Sequence, residues 1–258
     1  MTLNQTLVLF GVGVPLLVGV VMVADARGAF RNDTFATIAR KRAALALLVF
    51  VLAISVLLPV ASAPPTDARQ LRFANVFTGH AALLLFLGSW WLLSGRPPLR
   101  DFLALRSRNP LLEAGAGISL GLIGWTLTLL VGLVVGFLLS ILGVPGPGIP
   151  PLVRWIAALP AWQKGLIVLA AMTVEELHFR AFLQRRVGPV AASLLFLLSH
   201  GGYGEPFFFV GLLAITAVLA ASFQYTGSTV APMLAHGVFN AVQLFIVLPL
   251  VLRLLGRA

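Results

Sequence analysis

The sequence predicts an all-α polytopic integral membrane protein, a helical bundle of about eight transmembrane helices. Of its 258 residues, 59% are hydrophobic and only 10% are Asp, Glu, Lys or Arg, whereas a soluble domain carries about 25% charged residues. Roughly 150 apolar residues supply about eight spans of about 20 residues, the length that crosses ~30 Å of hydrocarbon. This composition excludes a soluble enzyme and a disordered chain. Because cysteine is absent, it also excludes a disulfide-stapled secreted domain.

The apolar runs locate the predicted spans. They fall near residues 6–24, 43–62, 74–95, 112–142, 162–184, 188–203, 206–225 and 229–252. The fourth run is long enough to tilt strongly or to include an interfacial turn, and the sixth is short for a full crossing. The stretch 143–151 is rich in Pro and Gly and cannot continue a helix. We expect one membrane domain over residues 1–258.

Basic residues exceed acidic ones, with 18 Lys and Arg against 8 Asp and Glu and a formal net charge of +10. In a soluble chain this excess would indicate nucleic acid. Here the basic residues cluster in short loops, where they set topology and meet anionic lipid headgroups. We therefore expect the lipid bilayer as a partner and no nucleic acid.

The composition is rich in Ala, Leu, Gly and Arg, as in a high-GC bacterium, so we expect a multi-pass protein of the inner (cytoplasmic) membrane.

Charged side chains interrupt the fifth apolar run. Glu175, Glu176 and Arg180 follow the apolar stretch 165–174 directly, and each charge at bilayer depth costs about 2.5–3.5 kcal/mol. Glu176 and Arg180 are four residues apart with the acid first, so they lie on one helical face and can pair. Glu175 is rotated by about 100° from Glu176 and faces a different neighbour.

Two further polar pairs repeat the four-residue spacing. Phe196 and His200 lie on the sixth span, and His236 and Asn240 on the eighth. Three helices therefore each present a polar face. Such residues can simply hold a bundle together, at about 1 kcal/mol per contact. The convergence of two Glu, one Arg, two His and one Asn in one part of the chain favours a functional site.

These side chains are sufficient for amide hydrolysis. A carboxylate in a low-dielectric site can act as a base toward water, and an imidazole can share the proton or orient the water. A second imidazole and an Asn amide can donate hydrogen bonds to a developing oxyanion. Equally, Glu175, His200 and His236 are acceptable ligands for a catalytic zinc with an open position. The residue types leave both mechanisms open.

At these residues the sequence resembles the CAAX protease and bacteriocin-processing (CPBP, Abi-like) family of intramembrane proteases. That family has Glu-Glu-x-x-x-Arg, Phe-x-x-x-His and His-x-x-x-Asn on successive membrane helices, which correspond here to residues 175–180, 196–200 and 236–240. The resemblance covers about residues 160–250, which we expect to form the catalytic core. The spans within residues 1–150 carry no signature.

The resemblance implies a role for each polar residue. Glu175 would activate a water molecule with the help of His200, and no cofactor would be needed. His236 and Asn240 would stabilise the tetrahedral intermediate. A zinc-dependent version of the same protease remains the alternative.

The resemblance also assigns supporting roles and a class of substrate. Glu176 and Arg180 would hold the site together, and Phe196 would pack without reacting. The substrate would be a membrane-anchored protein or peptide. Its cleaved segment would be a lipidated CAAX-type end, a leader peptide or a C-terminal sorting signal, the last as in the myxosortase-like members of the family.

Two functions from other classes compete with proteolysis. A non-catalytic immunity or scaffold protein would carry degenerate motifs, whereas the motifs here are intact. A proton-coupled transporter would carry buried charges and broken helices in both halves, whereas only one half of this chain has such charges.

Two further features have structural interpretations. Residues 117–121 match the Gly-x-Ser-x-Gly pattern of serine hydrolases, but they lack the strand-turn-helix context of that motif. Gly117 and Gly121 are therefore predicted to form a helix-packing face. His80 has no acidic neighbour in the sequence, so we expect it to pack at the membrane interface rather than to act in catalysis.

Overall fold

The computed structural model describes residues 3–62, 71–107, 109–144, 148–203 and 206–254. Within these ranges the chain is helical and contains no β-strand, which confirms the predicted all-α class. The principal helices are α1 (Leu3–Ala26), α2 (Ile38–Ala61), α3 (Thr78–Leu93), α4 (Pro110–Ile141), α5 (Pro151–Ala158), α6 (Ala161–Ala170), α7 (Arg185–Ser199), α8 (Pro206–Thr226) and α9 (Val230–Leu254).

Six helices in the described part of the chain are long and apolar enough to cross a membrane, and the protein is therefore an integral multi-pass membrane protein. They are Leu3–Ala26, Ile38–Ala61, Phe73–Leu93, Pro110–Ile141, Phe207–Thr226 and Val230–Leu254. The other two predicted spans, 162–184 and 188–203, are helical as well. The first contains the charged motif residues and the second contains Phe196 and His200. A total of eight spans stays a prediction.

Helix α4 is a single unbroken helix of 32 residues. At 1.5 Å per residue it is about 48 Å long, well beyond the ~30 Å of the hydrocarbon layer. The Asn109 side chain caps its first turn by accepting the Leu112 N–H at 3.2 Å, and Glu113 lies where a negative charge favours the helix dipole. Because no interfacial turn interrupts the helix, it can fit the bilayer by tilting.

The chain folds into two compact units, each assembled from separated stretches of sequence. The first comprises Met1–Ala63, Thr78–Arg106 and Val174–Gly202. The second comprises Pro64–Phe77, Ser107–Thr173 and Tyr203–Ala258. The first two motifs of the sequence thus lie in the first unit, and the third motif lies in the second.

An aromatic and ionic cluster holds the first unit together. Trp90 of α3 is fully buried and packs edge-on against Phe182, with ring centroids 4.8 Å apart. The Arg186 guanidinium binds both carboxylate oxygens of Asp33, at 2.6 and 3.0 Å, and lies 4.0 Å above the Phe182 ring. Trp90 Nε1 also donates to Asp33 at 3.1 Å. This bidentate geometry fixes the beginning of α7 against the loop that follows α1.

Glycines bring α4 and α9 close together in the second unit. A Cβ atom at Gly117 would lie 2.7 Å from the Ala231 carbonyl oxygen, and one at Gly121 would lie 2.6 Å from that of Ala235. Only glycine allows these two backbones to approach so closely. The predicted packing face is therefore confirmed, and the Gly-x-Ser-x-Gly match has a structural explanation.

Candidate active site

The motif Glu-Glu-x-x-x-Arg lies in a stretch of unusually wide helical turns. Helix α6 continues as a π-helix over Ala171–Glu175, and a second π-helix covers Leu177–Gln184. Glu176 between them keeps ordinary helical dihedrals, with φ −68° and ψ −35°. Turns of this kind are rare and occur frequently at functional sites. We call residues 171–184 the wide-turn segment.

Glu176 and Arg180 form a fully buried ion pair. Arg180 Nε donates to Glu176 Oε2 at 3.2 Å, and neither side chain is exposed. A second guanidinium nitrogen of Arg180 reaches the Ser193 hydroxyl of α7 at 3.5 Å, and the guanidinium lies 5.3 Å from the centroid of the Phe196 ring. The pair predicted from the four-residue spacing is therefore present, and it connects the wide-turn segment to α7.

The Phe196 side chain packs among aromatic rings. Its side chain is buried, and its ring meets that of Phe179 edge-on, with centroids 5.0 Å apart. Its backbone carbonyl oxygen lies 2.8 Å from Nδ1 of His200. The first residue of the Phe-x-x-x-His motif thus supplies an apolar contact through its ring and a hydrogen-bond acceptor through its main chain.

His200 ends helix α7 and faces Glu175. Its Nε2 lies 4.0 Å from Glu175 Oε2. Because the Phe196 carbonyl can only accept, Nδ1 of His200 carries a proton, a tautomer that is assigned from the partner. In the neutral ring, Nε2 then presents a lone pair toward the carboxylate of Glu175. The structure thus brings the acid of the first motif and the histidine of the second to the same place.

Glu175 also meets a histidine that sequence reasoning set aside. Nε2 of His80, in the first turn of α3, lies 3.1 Å from Glu175 Oε1. Both side chains are largely buried, with 15% and 14% of their surface exposed. His80 thus has an acidic partner in space although it has no acidic neighbour in the sequence. Since 95 positions separate the two residues, neither local spacing nor a motif signals this contact.

The third motif lies on α9 in the second unit. His236 is buried and Asn240 is partly exposed. Gly237 follows His236 and leaves room for the Met172 side chain. A Cβ atom added at Gly237 would lie 2.7 Å from the Met172 Sδ. Residues 231–235 of the same helix contact the glycines of α4. Helix α9 is thus held closely on two sides around His236, and a place for His236 and Asn240 beside Glu175 stays a prediction.

Across the described residues, no group of three or more His, Asp or Glu side chains is arranged so as to hold a metal ion. The zinc-dependent alternative, with Glu175, His200 and His236 as ligands, stays a hypothesis.

Comparison with known proteins identifies the same part of the chain. Residues 157–242 match the family described as type II CAAX prenyl endopeptidase Rce1-like. A curated relative, the uncharacterized protein YpbD of Bacillus subtilis (strain 168), is 34% identical over 77 residues, which are 30% of this chain and 41% of that protein. The matching stretch thus spans about two fifths of the relative's length, and no solved structure matches the chain. The matched segment contains all three motifs, so residues 157–242 are similar to the Rce1-like family of type II CAAX prenyl endopeptidases, as those motifs predict.

Proposed function

We propose that this protein is an intramembrane endopeptidase that hydrolyses a peptide bond in a membrane-anchored substrate with water activated by Glu175. The observation that carries the proposal is the 4.0 Å separation of Glu175 Oε2 and His200 Nε2. Two atoms that both accept hydrogen bonds face each other across a gap suited to a molecule with two donors. A water at about 2.8 Å from each atom would satisfy both.

The chemical step then balances as follows. The water oxygen bonds to the substrate carbonyl carbon while one of its O–H bonds breaks, and that proton passes to the carboxylate of Glu175. His200 accepts a hydrogen bond from the other O–H and so orients the attack. When the C–N bond breaks, Glu175 returns the proton to the departing nitrogen. General base catalysis of this kind contributes about 10²–10⁴ in rate.

His236 and Asn240 stabilise the charge that develops on the substrate carbonyl oxygen. Attack of water places a negative charge on the carbonyl oxygen, and an imidazole N–H with an amide N–H donates to it. A donor aimed at such an oxyanion contributes about 10²–10³ in rate. The residue types and the family pattern support this assignment.

Glu176, Arg180 and Phe196 support the site rather than react. The buried ion pair and the ring contacts of Phe196 link the wide-turn segment to α7. That linkage fixes the backbone on which Glu175 and His200 are carried. Catalysis depends on such fixed geometry, since a misplacement of about 1 Å can cost 10²-fold in rate.

We propose substrates that are themselves held in the bilayer. The helices flanking the site are apolar and long enough to cross a membrane. A hydrophobic tail or a lipid anchor therefore confines a substrate to the same membrane, in whose plane it diffuses to the site. The candidate segments are a C-terminal sorting signal, a leader peptide and a lipidated CAAX-type end. In a bacterial inner membrane, the location that the composition favours, sorting signals and leaders fit better than prenylated ends.

The decisive experiment compares the protein termini of membrane and secreted fractions from cells with the wild-type protein and with Glu175→Gln. Glu113→Gln, which alters a carboxylate of α4 outside the motifs, is the matched control. We expect a defined set of membrane-anchored proteins to stay uncleaved only with Glu175→Gln. Identical termini in all three strains would rule out the protease and favour a scaffold, which should still capture its partner when Glu175 is changed.

A further inference from the structure

His80 contributes a site contact from outside the matched family segment. It lies on α3, far from residues 157–242 in sequence, and belongs to the same compact unit as Glu175 and His200. Its Nε2 lies 3.1 Å from Glu175 Oε1. The carboxylate of Glu175 is thus approached by an imidazole at each oxygen, by His80 at Oε1 and by His200 at Oε2.

His80 presents a hydrogen-bond donor to the Glu175 carboxylate, whereas the neutral His200 presents an acceptor. An ionised carboxylate only accepts hydrogen bonds, so the His80 Nε2 at 3.1 Å carries the proton. This holds for the neutral and for the protonated ring alike. His200, in contrast, uses its Nδ1 proton on the Phe196 carbonyl and turns its Nε2 lone pair toward Glu175. Oε1 is therefore occupied by a donor, and Oε2 faces an acceptor.

A glutamate side chain rotates about three bonds, and it loses rotamer entropy when it is held in one orientation. One hydrogen bond to Oε1 restricts the last torsion and aims Oε2 at His200. The water that attacks the substrate would then be bound by a Glu175 Oε2 atom that is held in one orientation. Preorganisation of this kind raises the rate of the chemical step without changing substrate affinity.

We propose that His80 is a positioning residue for the proposed hydrolysis, which donates from Nε2 to Glu175 Oε1 and keeps its proton throughout the reaction. The N-terminal helices would thereby complete a site whose reacting groups lie in the family segment. This inference rests on the proposed function of Glu175.

The first test needs no substrate. The chain has four histidines, so nuclear magnetic resonance of the protein in vesicles with 15N-labelled histidine gives two ring signals for each of them. The spectrum of His80→Gln assigns the His80 signals. We expect a protonated Nε2 in His80 and a protonated Nδ1 in His200, and we expect Glu175→Gln to shift the His80 Nε2 signal. An unprotonated His80 Nε2, or one that Glu175→Gln leaves unmoved, overturns the proposal.

The second test uses a peptide that spans a cleavage site identified by its dependence on Glu175. We expect His80→Leu to lower kcat by about 10²-fold with KM unchanged. His80→Gln, whose amide N–H can replace Nε2–H, should recover most of that loss, which a merely structural role does not predict. Leu84→Ala, one turn further along α3 at a side chain that is 48% exposed, serves as the control and should keep full activity.

The outcomes separate the two hypotheses. Loss of cleavage in Glu175→Gln together with normal kcat in folded His80→Leu overturns the role of His80 and leaves the protease intact. Equal losses in His80→Leu and His80→Gln also overturn the donor role. Normal cleavage in Glu175→Gln overturns the proposed function, and the role of His80 fails with it.

Discussion

The Nε of Arg180 lies 3.2 Å from Glu176 Oε2, and both side chains are completely buried. Burial of two charges costs several kcal/mol per ion, which their attraction offsets only when both are present. Arg180 also contacts Ser193 and the Phe196 ring. Glu176 thus compensates the buried charge of Arg180.

We expect Glu176→Gln to lower the free energy of unfolding by about 3–5 kcal/mol, because it leaves the Arg180 charge buried and uncompensated. The measurement is reversible unfolding in mixed detergent micelles. Arg106→Gln is the control. It removes a partner of Asp101 from an exposed pair, and such pairs contribute about 0–1 kcal/mol. Similar losses in the two variants would contradict the buried-pair assignment.

Gly121→Ala should destabilise the packing of α4 against α9. The added Cβ would lie 2.6 Å from the Ala235 carbonyl oxygen, which is main chain and cannot simply rotate away. Overpacking costs about 1–3 kcal/mol, so we expect a lower midpoint of thermal unfolding. Gly136→Ala on the same helix has no atom within 4 Å of its added Cβ and should match or exceed the wild type. The reverse order of stabilities would refute the close-approach model.

His178→Phe should keep activity and leave stability unchanged or raise it. His178 is fully buried among the rings of Phe86, Phe179 and Phe182, and neither of its ring nitrogens has a hydrogen-bond partner among the described residues. A buried polar group without a partner costs about 1–3 kcal/mol, and phenylalanine has a similar shape. The check is thermal unfolding together with cleavage of the identified peptide. A large loss of kcat in a folded His178→Phe protein would show that the imidazole takes part in the reaction.

Asn240→Leu should lower kcat by about 10²–10³-fold with KM unchanged, because a donor to the oxyanion acts only in the transition state. Gln243→Leu is the matched control on the same helix. Gln243 accepts a hydrogen bond from Trp125 Nε1 at 3.3 Å, and its loss should affect stability rather than kcat. Steady-state kinetics on purified protein distinguish the two. A normal kcat in Asn240→Leu would remove Asn240 from the proposed mechanism.

Chelation tests the zinc alternative. We expect the purified protein to keep its activity after dialysis against a strong chelator, because the proposed mechanism takes its nucleophile from water and Glu175 alone. Peptide cleavage and the zinc content of the same sample are measured together. Loss of activity on chelation and its recovery with added zinc would replace the glutamate mechanism with the metal-dependent one.

Those parts of the fold that depend on local patterns could be predicted from the sequence. Apolar runs located the helices because burial in lipid requires long apolar stretches. The spacing of Glu176 and Arg180 predicted their ion pair because side chains four residues apart meet on a helix. Gly117 and Gly121 predicted a close helix contact for the same reason.

Other parts of the structure leave no local pattern. The wide turns over residues 171–184 change the helical repeat, and no composition rule signals them. His80 reaches Glu175 because the fold brings together stretches that lie 95 positions apart. An absent neighbour in sequence is therefore poor evidence of an absent partner in space.

The first compact unit draws its helices from separate stretches of the chain, with Glu175 and His200 from the last of them and His80 from an earlier one. A chimera that joins residues 157–242 to the amino-terminal helices of another membrane protein would thus retain every family motif and still lose the imidazole at Glu175 Oε1. Protein engineers who transplant this segment should therefore transfer α3 with it, or install a histidine at the equivalent place in the recipient.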